Sequence, residues 1–194
     1  MNQIRFPDIA PDDMTPQQSA VAAEIAAGPR GSVKGPFLPL MHHPELARRL
    51  QRLGEHLRFG TGLPPELIEL AVLLVARHWQ CQYEWFAHAR IARETTSLPP
   101  SVIDAIARGD TPPGMSAEQA EVHRFCSEVL RSGEAGDASF AAVLERYGRQ
   151  GALDLIALCG YYSLLAMVLN TARVPLPAGV SPPLPPLPGK TDGG

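Results

Sequence analysis

Apolar residues recur along this chain at helical spacing, and nowhere do apolar and polar residues alternate as a half-buried strand requires. Thr15 can cap, and Pro16 suits the first turn of, a helix running to about Ala27, where Gly28 and Pro29 stop it. Residues 29–43 read as an extended loop, because Gly31, Gly35, Pro36 and Pro39 interrupt any period. From His43-Pro44 to about Phe59, Leu46, Leu50, Leu53 and Leu57 form one stripe. A turn over 60–65 follows, and the helical period resumes from Glu66 to about Glu94. A straight helix of that length would span about 43 Å. That is long for a domain of this size, so a break is expected near Arg77–Cys81. A short helix opens at Pro99 and ends at Gly109, and Ser116 caps another that runs to about Ser132. Helices over 139–147 and 151–171 complete an all-α class. The pair 45–59 and 66–94 resembles the pair 117–132 and 151–171, a hint of an internal two-helix repeat.

The segment Leu155–Ala172 is an uncharged run of eighteen residues, at the lower edge of a membrane span. Gly160, Ser163, Asn170 and Thr171 interrupt it, so a central buried helix is the expectation and no membrane contact is expected. Residues 1–178 are taken as one helical domain and 179–194 as a proline-rich C-terminal arm. Within the arm, Pro182–Pro188 favours polyproline II. It reads as an arm or a frayed tail rather than a ligand for an aromatic groove.

At 194 residues the chain can bury a sizeable core. A net charge of −3 gives no electrostatic reason to expect nucleic acid as a partner. Cationic charge comes from fifteen Arg and two Lys, read as a solvated surface for the most part. Cys81, Cys126 and Cys159 form no disulfide framework, and the N-terminus lacks a signal-peptide core, so a cytoplasmic protein is expected. The large apolar helix faces point to a homo-oligomer.

Candidate chemistry gathers between Glu69 and His88. Cys81, Glu84 and His88 are spaced i, i+3, i+7 and fall within about 60° of one another on a helix. Arg77 and Trp85 flank this stripe, and His78 lies near it. Such a mixture reads as the wall of a partly buried polar pocket. Glu84 and His88, at i, i+4, can share a hydrogen bond or hold one substrate. Histidine titrates near neutrality and suits proton transfer. Cys81 is read either as a nucleophile, activated by a helix N-terminus and a nearby His, or as a small pocket-lining residue. No strong metal motif is present, and His42-His43 are read as a loop pair.

The spacing Glu69, eleven residues, Cys81, two residues, Glu84, three residues, His88 resembles a motif of the carboxymuconolactone decarboxylase and alkylhydroperoxidase-D superfamily. The peroxidase branch of that superfamily has Cys where this chain has Glu84. Gly35-Pro36-Phe37-Leu38, His43-Pro44-Glu45-Leu46-Ala47, Gly160-Tyr161-Tyr162 and Asn170–Pro177 resemble its decarboxylase-type members, so the likeness spans roughly residues 30–178. The resemblance implies an alkylhydroperoxidase-D-like helical bundle with two helices over 66–94, Cys81 in the first turn of the second. It implies an inward-facing Glu69 and catalytic roles for Glu69, Glu84, His88 and Cys81; Arg77, His78 and Trp85, on or beside the stripe, are read as substrate-binding. The implied activity is acid–base chemistry, decarboxylation or isomerisation, on a small organic acid or lactone, with no cofactor. The alternatives are a thiol-dependent hydroperoxide reductase using Cys81 and a non-catalytic small-molecule-binding or assembly protein.

Overall fold

The helices begin where the side chains can satisfy their first N–H groups. The computed structural model describes residues 3–186. In α1, Pro16–Ala27, the Thr15 hydroxyl accepts from the Gln18 N–H, and the Gln18 side chain accepts from the Thr15 N–H in return. The same reciprocal box, Ser116 with Gln119, opens α7, Ala117–Ser132. The stretch expected to be an extended loop contains a short helix, α2, Phe37–Leu40. Burial of Phe37, Pro39, Leu40 and Met41 in the core outweighs the breaking signal of its glycines and prolines.

Helix α3, Pro44–Glu55, leads into a π-helical turn, His56–Gly60. Of the expected leucine stripe, Leu50 and Leu57 are buried, whereas Leu46 and Leu53 are exposed. Helix α4, Pro65–His78, is the central element: Leu67 through Leu73, Val75, Ala76 and Arg77 are all buried. It packs against α5 (Gln82–Thr95), α6 (Pro100–Arg108), α7 and α8 (Asp137–Ala172). The break between α4 and α5 is sharp. Gln80 has φ 50°, the Gln80 N–H donates to the Arg77 carbonyl, and the Cys81 N–H donates to the Ala76 carbonyl. This is a left-handed helix stop built without glycine.

The two helices expected over 139–147 and 151–171 are the halves of α8, which bends at Gly148 (φ 66°, ψ −174°). Length and composition would let α8 cross a membrane, yet its most apolar window is 56% buried within the fold, against α4 and α7. Among the described residues no strand is present.

After α8 the chain returns across the α4–α5 elbow. Leu184 is buried, its N–H donates to the Gln82 Oε1, and its carbonyl accepts from the Gln82 Nε2. Of the two readings, arm or frayed tail, the described part as far as Pro186 is an arm docked on its own chain at Leu184. Leu187, Pro188 and the rest of the arm lie outside the described residues.

Candidate active site

The elbow folds α5 back along α4 and changes what each side chain of the motif can reach. On one straight helix Glu69 and His88 would be about 28 Å apart. Here Glu69 Oε2 and His88 Nδ1 are 2.8 Å apart, and both side chains are buried. In the tautomer that donates Nδ1–H to Glu69, Nε2 is left for another partner. The Tyr162 ring meets the His88 imidazole edge-on, centroids 5.1 Å apart. Arg58, from the π-helical turn, brings Nη2 to 3.9 Å from Glu69 Oε1. π-Helical turns recur at functional sites because they re-aim side chains.

Glu69 and His88 face a cavity of about 690 Å³. Its wall from α5 is Tyr83, Phe86, Ala87, Arg90 and Ile91, at i, i+3, i+4, i+7 and i+8, with His88 at the edge. The loop before α2 adds Arg30, Ser32 and Lys34, and Arg58 comes from the π-helical turn. Arg30, Lys34, Arg58 and Arg90 supply four cations against the one carboxylate of Glu69. A concave site of that balance attracts anions.

The other expected site residues lie elsewhere. Glu84 does not pair with His88, whose carboxylate partner is Glu69. Glu84 is 3% exposed, its Oε2 has no partner among the described residues, and burial pushes its carboxyl well above the usual range. Cys81 packs into a small apolar cluster with Ala166 and Leu169. Burial, with the neighbouring Glu84 charge adding to it, pushes its thiol up to about 12, which speaks against the nucleophile and for the small buried residue of the two readings. The N-terminal position in α5 cannot offset the loss of water around the sulfur.

Trp85 is part of the core. Arg77 does not line this cavity; it is buried at the elbow, where Nη1 donates to the Pro185 carbonyl at 2.7 Å. His78 is on the far side of α4, beside a groove against α6 and α7. For Cys81, Glu84 and Trp85 the physical reason is common. The stripe 81, 84, 85, 88 faces the interior, and the cavity is walled by the neighbouring stripe of α5. Sequence reading passed over Arg30, Lys34, Arg58 and Arg90. Only the spacing of Tyr83, Phe86, Ala87, Arg90 and Ile91 carried a signal for the wall. Among the described residues no group of three or more His, Cys, Asp and Glu side chains gathers as a metal site would require.

The all-helical fold is shared with solved structures. The crystal structure of the alkylhydroperoxidase AhpD core of an uncharacterized peroxidase-related protein from Ralstonia eutropha JMP134 is similar to this fold. It superposes with a TM-score of 0.71 at 24% identity, covering 88% of this chain and 91% of that one. An uncharacterized peroxidase-related protein from Silicibacter sp. TM1040 superposes with a TM-score of 0.66 at 19% identity, covering 89% and 91%. Residues 44–123, from α3 into α7, match the Carboxymuconolactone decarboxylase family. The family match over residues 44–123 and the likeness of fold agree with each other. No curated protein matches the chain significantly.

Proposed function

We propose that this protein is an enzyme of acid–base chemistry, decarboxylating or isomerising a small anionic organic acid or lactone. The observation that carries this reading is the Glu69–His88 pair at 2.8 Å, set in the wall of a cavity whose other charged lining residues are cations. His88 is the proton-transfer group and Glu69 holds its ring in one orientation. In decarboxylation the bond to the carboxylate carbon breaks and CO₂ leaves. The electron pair is delocalised onto a lactone or ketone carbonyl, whose developing negative charge Arg58 offsets. His88 then returns a proton to carbon. In isomerisation His88 removes and returns the proton with no loss of carbon. Neither route needs a thiol.

The thiol-dependent reading has less support. A peroxidase needs a reactive thiolate and a resolving partner. Cys81 is 1% exposed with its thiol pushed up, Glu84 stands three residues on, and Cys126 and Cys159 are on other helices. All three cysteines are free and buried, in keeping with a cytoplasmic protein. The protein is assayed against a panel of carboxylated lactones and organic hydroperoxides, before and after thiol alkylation under native conditions. The expected result is turnover of a carboxylated lactone that survives alkylation. Peroxide turnover abolished by alkylation overturns this reading in favour of the reductase, and binding without turnover of any panel member favours a non-catalytic binder.

A further inference from the structure

Two polar groups in the cavity wall are not used by the chemistry above. Arg30 Nε and Ser32 Oγ are buried atoms without a partner among the described residues, and both residues line the cavity. A buried donor left unpaired costs about 1–3 kcal/mol, and more when charged, so such groups mark a site that something polar completes. The Arg30 guanidinium is held from three sides. Its Nη2 donates to the Tyr161 hydroxyl at 3.3 Å, and its Cζ lies 4.7 Å over the centre of the Phe37 ring. The third constraint is a notch in α3. A Cβ at Gly54 would stand 2.1 Å from Tyr161 Oη and 2.4 Å from Arg30 Nη2. Gly in a helix interior costs about 1 kcal/mol relative to Ala, and here it is the residue that leaves room for the Tyr161–Arg30 contact.

Tyr161 is itself buried, and burial pushes its hydroxyl up to about 12, so it remains a neutral acceptor across the physiological range. With one Nη2 N–H committed to Tyr161, the Nε–H and Nη1 edge of the fixed guanidinium still offers donors, Nε–H unpartnered among the described residues, and the Ser32 hydroxyl is another from the same loop. Ammonium and guanidinium charge at Lys34 and Arg90 lies along the same wall.

We infer that Arg30 and Ser32 form an oxyanion subsite for a carboxylate-type group of the ligand, with Tyr161 and the Gly54 notch as its positioning elements. The inference rests on the reading of this cavity as the substrate site and adds the means by which an anionic group is oriented within it. Tyr161 touches no ligand and acts through Arg30 alone.

The test uses acetate, the smallest carboxylate, and the Nε–H resonance of Arg30 in a nitrogen–proton NMR spectrum, assigned by its loss in Arg30→Lys. Acetate is expected to move that resonance saturably in the wild-type protein. Ser32→Ala and Tyr161→Phe should each weaken the acetate response about tenfold or more, the loss expected of one charge-assisted hydrogen bond or its support. Tyr161→Phe removes one oxygen and keeps the ring packing, so folding is preserved, and unchanged far-ultraviolet circular dichroism checks it. Gly54→Ala should reproduce the Tyr161→Phe effect.

If acetate leaves the Arg30 resonance in place while shifting those of Arg58 or His88, the subsite is overturned and the acid–base reading stands. If the Arg30 resonance responds but His88→Gln retains full turnover of a substrate, the subsite stands and the acid–base reading falls. A response of the same strength in Tyr161→Phe overturns the positioning role.

Discussion

A carboxyl oxygen without a partner in a protein interior is a standing cost, and Glu84 carries one among the described residues. Its Oε2 finds no partner among the described residues, and burial raises its proton affinity well above the ordinary value of 4.5. The folded state therefore holds the proton more tightly than the unfolded chain. The stability this provides is complete below about pH 4.5 and is lost as pH rises through the folded-state value. Glu84→Gln cannot ionise and escapes that loss. Thermal unfolding should show a gain in Tm for Glu84→Gln that grows between pH 5 and pH 8; the same gain at both pH values would contradict this account. His88 and Cys81 give the complementary pair of variants. His88→Gln should lower turnover about 10²–10⁴-fold, the usual range for one positioned proton-transfer group. Cys81→Ser changes a buried atom away from the cavity and should alter the rate less than about tenfold, or 1.4 kcal/mol. The reverse order of effects would transfer the chemistry to the thiol.

At the scale of elements, the elbow between α4 and α5 decides the site. Its existence was readable from length alone, since a single helix from Glu66 to Glu94 would outrun the domain. Its form was not, because the left-handed position is filled by Gln80 rather than the Gly or Asn that usually announces such a stop. The left-handed region costs an L-residue roughly 1–2 kcal/mol, part of which glycine gives back through its greater freedom in the unfolded chain. Gln80→Gly should accordingly raise unfolding stability by about 0.5–1 kcal/mol, read from denaturant titration, and a loss of stability would show that the Gln80 side chain contributes more than its backbone costs. The same elbow explains what else was legible. Helix class, the halves of α8 and most boundaries follow from period and caps, which are local. That Glu69 and His88 meet was not local, and only the family resemblance anticipated an inward Glu69. Which stripe of α5 faces the cavity depends on α4 and α8 packing against the other one, so Cys81, Glu84 and Trp85 went to the interior, and Tyr83, Phe86 and Arg90 to the wall. Arg58 was hidden for a further reason: its π-helical turn re-aims a residue that a regular α-helix reading left on a solvated surface.

At the scale of the whole molecule, the outer face of α8 lacks a cover among the described residues. Leu153, Ile156, Gly160, Leu164 and Met167 follow one another at i, i+3, i+7, i+11 and i+14, a single stripe along the helix. Leu153 is 65% exposed, and Ile156 and Met167 are each above 40%. Apart from its own turns of helix, no described atom lies within 4 Å of where a Cβ on Gly160 would be, so the middle of the stripe is open to close approach by another backbone. The stripe runs into an apolar hollow of about 460 Å³ floored by Leu40, Leu46 and Leu164 and edged by Phe6 and Met167. Single exposed apolar residues need no explanation, but a continuous row of them joined to a hollow is what a self-complementary interface offers. The expectation is a homo-oligomer joined through this face. Leu153→Glu combined with Met167→Glu should shift the sedimentation coefficient of the protein at micromolar concentration from that of the oligomer to that of the monomer. The cavity lies against α5 and the π-helical turn, on surfaces the stripe does not include, so acetate binding at Arg30 should survive the dissociation. A wild-type protein that sediments as a monomer at that concentration would leave the α8 stripe without the partner predicted for it.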